Sequence, residues 1–226
     1  SDEQIFDGIT SAKVNSFLRN IDKNRVPGLT AKVFRTFIAT QVVREALLNP
    51  QIKVDKGSTE MEKIYVVKKA NLLAAITCNH KKGIDPNNPT SKLAFERFQK
   101  SVQKKEETIR KIEDDIASHK WKTDLQKKRM MDRLEKVQIT LRIQKETRDY
   151  NLGTSLRNYI DPRVLKSWMN YVNLEWKKVF TATLQRKFRW VETCSDAELR
   201  QFLPEDKESD QYKNETIIRE ESLAKS

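Results

Sequence analysis

The chain has 226 residues, 37% of them hydrophobic and 34% charged, with five Gly and six Pro. Apolar surface is scarce for one compact globule, so a globular part joined to an extended, solvent-washed part fits better, and few Gly and Pro favour helices over short strands and turns. Lys and Arg number 44 against 32 Asp and Glu, a net charge of +12, which implies a polyanionic partner, either nucleic acid or an anionic membrane surface.

The first predicted element is a helix whose apolar face is Val14, Phe17, Leu18 and Ile21, at i, i+3, i+4 and i+7. Pro27-Gly28 breaks it, and Thr30 is a plausible N-cap for the next helix over 30–48. There Val33, Phe34, Phe37, Ile38 and Val42 read as a wide buried stripe, with Arg35 on its shoulder, free to reach a neighbouring groove. Residues 49–58 hold Pro50 and Gly57 and read as a loop. A helix over 60–79 follows, with His80 at its C-terminal end, where the helix dipole favours a protonated imidazole by up to about 2 kcal/mol.

After a loop at 81–90 comes the most regular stretch. Phe95, Phe98, Val102, Lys105, Ile109, Ile112 and Ile116 alternate spacings of three and four, a heptad seam with a polar break at Lys105. Met130, Leu134, Val137 and Leu141 continue a similar seam beyond a polar break at 118–120, where His119 falls at a solvated tip. Between Lys100 and Lys145 there are 14 Lys and Arg against 8 Asp and Glu, without Gly or Pro. An antiparallel two-helix coiled coil is the economical reading, each arm of about 25 residues reaching roughly 38 Å. Its basic excess reads as a solvated face that tracks a phosphate backbone.

Residues 151–154 read as a break. Asp161-Pro162 is a strong helix start, an N-cap followed by proline at the first helical position. Val164, Leu165, Trp168, Met169 and Val172 give that helix an apolar face, and a last helix holds Leu184, Phe188 and Val191. From Pro204 the chain is polar and reads as a frayed tail. The fold class predicted is mainly α: a helical piece over 1–92, a coiled-coil linker over 93–148, a small helical C-terminal domain over 149–202, and a flexible tail over 203–226.

No stretch approaches the roughly 18 apolar residues of a membrane span, and no signal-peptide pattern opens the chain. Cys78 and Cys194 are too few for a disulfide framework or a four-ligand zinc site and read as reduced thiols. The chain begins with Ser and meets its first motif almost at once, so it reads as a piece of something longer. There is no Gly-rich phosphate loop, no metal-ligand spacing and no Gly-x-Ser-x-Gly elbow, so no nucleotide cofactor or metal is expected. Cys78-Asn79-His80 lacks the further ligands a metal needs.

Three segments carry chemistry. Residues 28–36, Gly28-Leu29-Thr30-Ala31-Lys32-Val33-Phe34-Arg35-Thr36, resemble the block of type IB DNA topoisomerases that bears an active-site arginine. Residues 75–80, Ala75-Ile76-Thr77-Cys78-Asn79-His80, resemble the block with their catalytic histidine. Residues 152–163, around Ser155, Asn158, Tyr159, Asp161 and Pro162, resemble the block around their nucleophilic tyrosine. The three occur in family order, with a charged linker between the second and third as in the cellular enzymes, and the resemblance runs from about residue 5 to 201.

It implies that Tyr159 is the nucleophile and that Arg35 and His80 are donors to the phosphate. Lys32, Thr36, Lys81, Thr154, Arg157 and Asn158 become DNA contacts, with duplex DNA as partner, no cofactor, and no membrane. A phenol is a weak nucleophile at neutral pH, and guanidinium and imidazole donors aimed at the non-bridging oxygens stabilise the charge that builds as it attacks. The resemblance also implies a further arginine and a lysine general acid upstream of Ser1, so this chain alone should be incompetent. It places the enzyme in the nucleus of a eukaryote, or in the nucleoid or cytoplasm of an archaeon. A packed Tyr159, a salt-bridging Arg35 and a helix-capping His80 are the bland alternatives. A tyrosine recombinase and a non-catalytic DNA-binding scaffold are the rival functions, the linker and the wording of the tyrosine block speaking against the first.

Overall fold

A computed structural model describes residues 8–83, 87–195 and 198–199. Among these the chain forms α1 (Ser11–Ile21), α2 (Ala31–Leu47), α3 (Glu60–Thr77), α4 (Pro89–Ala117), α5 (Asp124–Glu146), α6 (Leu152–Asn158), α7 (Pro162–Tyr171) and α8 (Ala182–Lys187). Short 3-10 turns follow at Trp176–Lys178 and Arg189–Thr193. The class is mainly α, as composition predicts. The tail expected over 203–226 lies outside the described residues. No helix among the described residues is long and apolar enough to cross a membrane.

Local chemistry explains most of the boundaries. Thr59 and Glu62 form a reciprocal capping box at the start of α3. Asn88 caps α4 and Asp161 caps α7, each followed by proline in the first turn. At the C-termini of α3, α4 and α7 the chain turns through a left-handed residue, Asn79, His119 and Asn173, with φ of 52°, 52° and 57°. In each case the left-handed residue and its successor return N–H bonds to the last turn, for example Asn79 to Ile76 and His80 to Ala75. Residues 151–154, expected as a break, are instead the capped start of α6: the Asn151 side chain accepts from the Thr154 N–H.

One core draws on both ends of the chain. It packs Ala39, Val43 and Leu47 of α2 and Val66, Val67, Ala70 and Ala74 of α3 against Leu156, Val164, Leu165, Trp168 and Met169. Phe180 closes it, 5.2 Å from the Trp176 ring and edge-on to Phe188.

The predicted stripe of α2 is overturned. Val33, Phe34, Phe37 and Ile38 are exposed, Phe37 by 62%, and Val42 is half-buried; the buried positions are Ala39, Val43 and Leu47. This helix is apolar on two sides, and the smaller side chains make the closer approach to α3. The face of α1 stands equally open, with Val14, Phe17 and Ile21 exposed.

Helices α4 and α5 run antiparallel, linked by Lys145 to Glu106 at 2.7 Å and Gln138 to Glu113 at 3.3 Å. Ile112 and Leu141 are buried between them, and most of the remaining seam is half-buried. The hairpin does not stand free. The Thr59 hydroxyl donates to Glu135 at 2.7 Å, and Glu146 accepts from Tyr65, Lys69 and Arg142, so α5 lies along α3. The positive excess is also unevenly spread. It gathers around the turn, where Lys120, Lys122, Lys127, Lys128 and Arg129 follow closely in sequence with Asp124 the acidic residue among them and Lys127 over the Trp121 ring, while the arms are closer to balance.

Candidate active site

Three chain segments bring the site together. The left-handed turn at Asn79 throws His80 off the axis of α3. Residues 80–82 then pair with 149–151: Asn151 donates to the His80 carbonyl at 2.8 Å, Lys82 donates to Asp149 at 2.9 Å, and Lys81 and Tyr150 form an antiparallel bridge. Helix α6 starts at once from this pairing and is fixed to α3 by a buried polar link. The Ser155 hydroxyl donates to Asn71 Oδ1 at 2.6 Å, and Asn71 Nδ2 donates to the Leu152 carbonyl at 3.1 Å. Tyr159 is the C-cap of α6.

The half-buried Tyr159 ring is the meeting point. The His80 ring lies 4.9 Å from it, centroid to centroid, at 37°, and the Arg35 guanidinium carbon sits 5.4 Å from its centroid. Arg35 is anchored by a 2.9 Å bond from a terminal guanidinium nitrogen to the Cys78 carbonyl, in the last turn of the helix that delivers His80. Both ring nitrogens of His80 are enclosed, and neither has a hydrogen-bond partner among the described residues. An enclosed imidazole whose nitrogens have no protein partner is one a ligand could satisfy.

Burial, and then the charge of Arg35, push the His80 pKa below its ordinary value of 6.5. The protonated imidazole expected from the helix dipole is therefore corrected. A proton on the ring would lose hydration and set a second cation near Arg35. Phenol, guanidinium and imidazole thus lie side by side, the residue types that phosphoryl transfer to a tyrosine would use.

The outer residues are spread more widely. Lys32 and Thr36 line a cavity of about 570 Å³ beside α2, together with Thr40, Arg44 and Asp161. Lys81 is exposed on the 80–82 segment, and Arg157 and Asn158 are exposed on α6, where Lys187 donates to the Arg157 carbonyl. The Thr154 N–H is held by Asn151. Sequence reasoning missed Asn71, Ser155 and Thr40. A lone Asn inside the apolar second half of α3 was the available signal for the first, and nothing local marks Thr40. Among the described residues no three His, Cys, Asp or Glu side chains gather to hold a metal, and both cysteines are free thiols.

Comparison with known proteins gives the family. Residues 1–122 match the family model described as eukaryotic DNA topoisomerase I, catalytic core, and residues 131–199 match the C-terminal topoisomerase domain. The chain is 32% identical over 195 residues to DNA topoisomerase 1 of Caenorhabditis elegans, covering 83% of this chain and 23% of the relative. It is 30% identical over 198 residues to DNA topoisomerase 1 of Drosophila melanogaster, covering 88% and 19%. With the human mitochondrial DNA topoisomerase I the identity is 29% over 203 residues, covering 83% and 32%. The chain thus spans between about a fifth and a third of the length of these relatives. With the core match taking in more than half of its residues and the C-terminal match following in order, the chain belongs to the eukaryotic DNA topoisomerase I family.

Proposed function

We propose that the chain supplies the nucleophile and two of the phosphate donors of an enzyme that relaxes supercoiled duplex DNA. The observation that carries this reading is the meeting of Arg35 and His80 around the Tyr159 ring, with both imidazole nitrogens open. The Tyr159 hydroxyl oxygen attacks a backbone phosphorus, a 3′-phosphotyrosyl bond forms, the bond to the 5′ oxygen breaks, and that oxygen leaves as a hydroxyl. Arg35 and His80 stabilise the negative charge on the non-bridging oxygens, the arriving phosphate accepting from the one N–H of the neutral His80 ring. One phosphodiester is exchanged for another, so the broken linkage is conserved without ATP and the reaction runs backward to reseal the strand.

A further arginine and a lysine that protonates the leaving oxygen come from an upstream part of the enzyme. The open apolar faces of α1 and α2 support a packing partner of this kind. Lys32, Thr36, Lys81, Thr154, Arg157 and Asn158 follow the DNA around the site. The relatives come from animals and plants, which supports a eukaryotic enzyme; the nucleus is the reading taken for those named without a compartment, and mitochondria for a relative such as the human mitochondrial one.

Covalent trapping tests the reading. The enzyme carrying this chain, with its upstream part, is denatured while turning over nicked DNA, and the DNA-linked peptide is mapped. Attachment at Tyr159, lost in Tyr159→Phe, is expected; attachment elsewhere, or none, refutes it.

A further inference from the structure

We propose that Thr40 is a positioning residue for the nucleophile, an inference that rests on the reading of Tyr159 given above. Thr40 lies on α2, five residues beyond Arg35, and is far in sequence from the tyrosine block. Its hydroxyl donates to the Tyr159 carbonyl at 3.4 Å and accepts from the Asp161 N–H at 3.1 Å. One side chain thus holds the backbone on both sides of Ile160, which is itself buried.

The need for it follows from how α7 begins. Asp161 is the N-cap, and its carboxylate is taken up by the Arg163 N–H and guanidinium. In a capping box the N-cap N–H is satisfied by a Glu or Gln three residues on. That position is Val164, which is buried and apolar. The Asp161 N–H therefore takes its acceptor from another helix, and Thr40 provides it. From within the tyrosine segment, α6 ends with the Tyr159 and Ile160 N–H groups both bonded to the Ser155 carbonyl. The turn carrying the phenol is accordingly fixed at its amides by α6 and at its far side by α2.

Functionally, α2 then sets both partners of the reaction. It carries the Arg35 guanidinium to the phosphate site and, through Thr40, fixes the backbone from which the Tyr159 side chain projects. A misplacement of about 1 Å between attacking and attacked atoms can cost about 10²-fold in rate. Loss of the clamp should therefore appear in the chemical step and not in DNA binding.

The experiment compares Thr40→Val, which keeps shape and loses the hydroxyl, with Thr40→Ser, which keeps the hydroxyl. Both are made in the enzyme together with its upstream part. Single-turnover formation of the Tyr159–DNA adduct is followed at saturating DNA, with DNA affinity and thermal midpoint measured alongside. Thr40→Val should slow adduct formation by about 10- to 100-fold with DNA affinity unchanged and the protein folded, and Thr40→Ser should recover to within about threefold. A parental rate in Thr40→Val, a rate loss that tracks DNA affinity or unfolding, or a Ser variant as slow as Val overturns the proposal. An adduct that forms at Tyr159 but ignores Thr40 removes the clamp alone. Absence of a Tyr159 adduct in the parent removes the reading of the site, and the clamp with it.

Discussion

Replacing Ser155 by Ala should loosen α6, the helix that ends at Tyr159, far more than the loss of one oxygen implies. Asn71 is 2% exposed and Ser155 0%. In Ser155→Ala, Asn71 Oδ1 loses its 2.6 Å donor inside the core, while its Nδ2 still donates to Leu152. An orphaned buried acceptor costs about 1–3 kcal/mol, and a middle value of about 2 raises the opening constant of α6 roughly 30-fold. Asn71→Leu is different, because the Ser155 hydroxyl already lies 3.1 Å from the Leu152 carbonyl and can turn its proton there. The double variant leaves neither side chain orphaned, so its penalty should fall well below the sum of the two. Hydrogen exchange at the amides of α6, in the enzyme with its upstream part, reads each opening free energy. Unchanged exchange in Ser155→Ala, or penalties that add to within about 0.5 kcal/mol, would refute the coupling.

Arg35→Ala should slow cleavage by about 10²-fold or more, and His80→Ala by less, since the arginines remain; parental rates in both would remove these residues from the site. With a folded pKa below the usual 6.5, His80 should favour folding fully above that value. The contribution is lost as the pH falls through 6.5 toward the folded pKa, because the unfolded chain then binds more protons. Titrating the ring signals of the two histidines by NMR checks this, a midpoint for His80 at or above 6.5 being the contrary result. Changing Lys122, Lys127, Lys128 and Arg129 to Gln should flatten the salt dependence of DNA binding by about one to three units of slope, and an unaltered slope would mean that the linker turn meets no phosphate.

What was legible in the sequence was whatever is encoded locally or by a long block. Asp161-Pro162 announced its helix because an N-cap and a proline act within one turn, and the apolar face of α7 is buried as its spacing required. Tyr159, Arg35 and His80 were named from ordered blocks, and the folded chain brings them around one ring. The buried side of α2 was misread because periodicity shows that a face is apolar without showing what covers it. Val33, Phe34, Phe37 and Ile38 outweigh Ala39, yet Ala39 is the residue at 0% exposure. Thr40 left no local signal and Asn71 only its isolation in an apolar run, because each bonds to a residue that only the tertiary fold brings within reach. The charge of His80 was misjudged for a similar reason. Its neighbour Arg35 comes from another helix, and the left-handed turn before it is made by Asn79 in a chain that ends three of its helices without glycine.

The pairing of 80–82 with 149–151 makes the whole α4–α5 excursion begin and end at one place. His80 and Asn151 are already bonded backbone to backbone, so the intervening segment has no part in setting the distance between the histidine and the tyrosine helix. In polymer terms the linker is a closed loop whose ends are pinned by the site, and not a spacer that spans a gap. Replacing its roughly 65 residues by a turn of about four would lower the loop-closure entropy cost by about 2.5 kcal/mol, offset by the contacts of Glu135 and Glu146 with α3. Insertions or deletions near the hairpin turn should therefore leave the spacing of His80 and Tyr159 unchanged, while Glu135 and Glu146 keep α5 against α3.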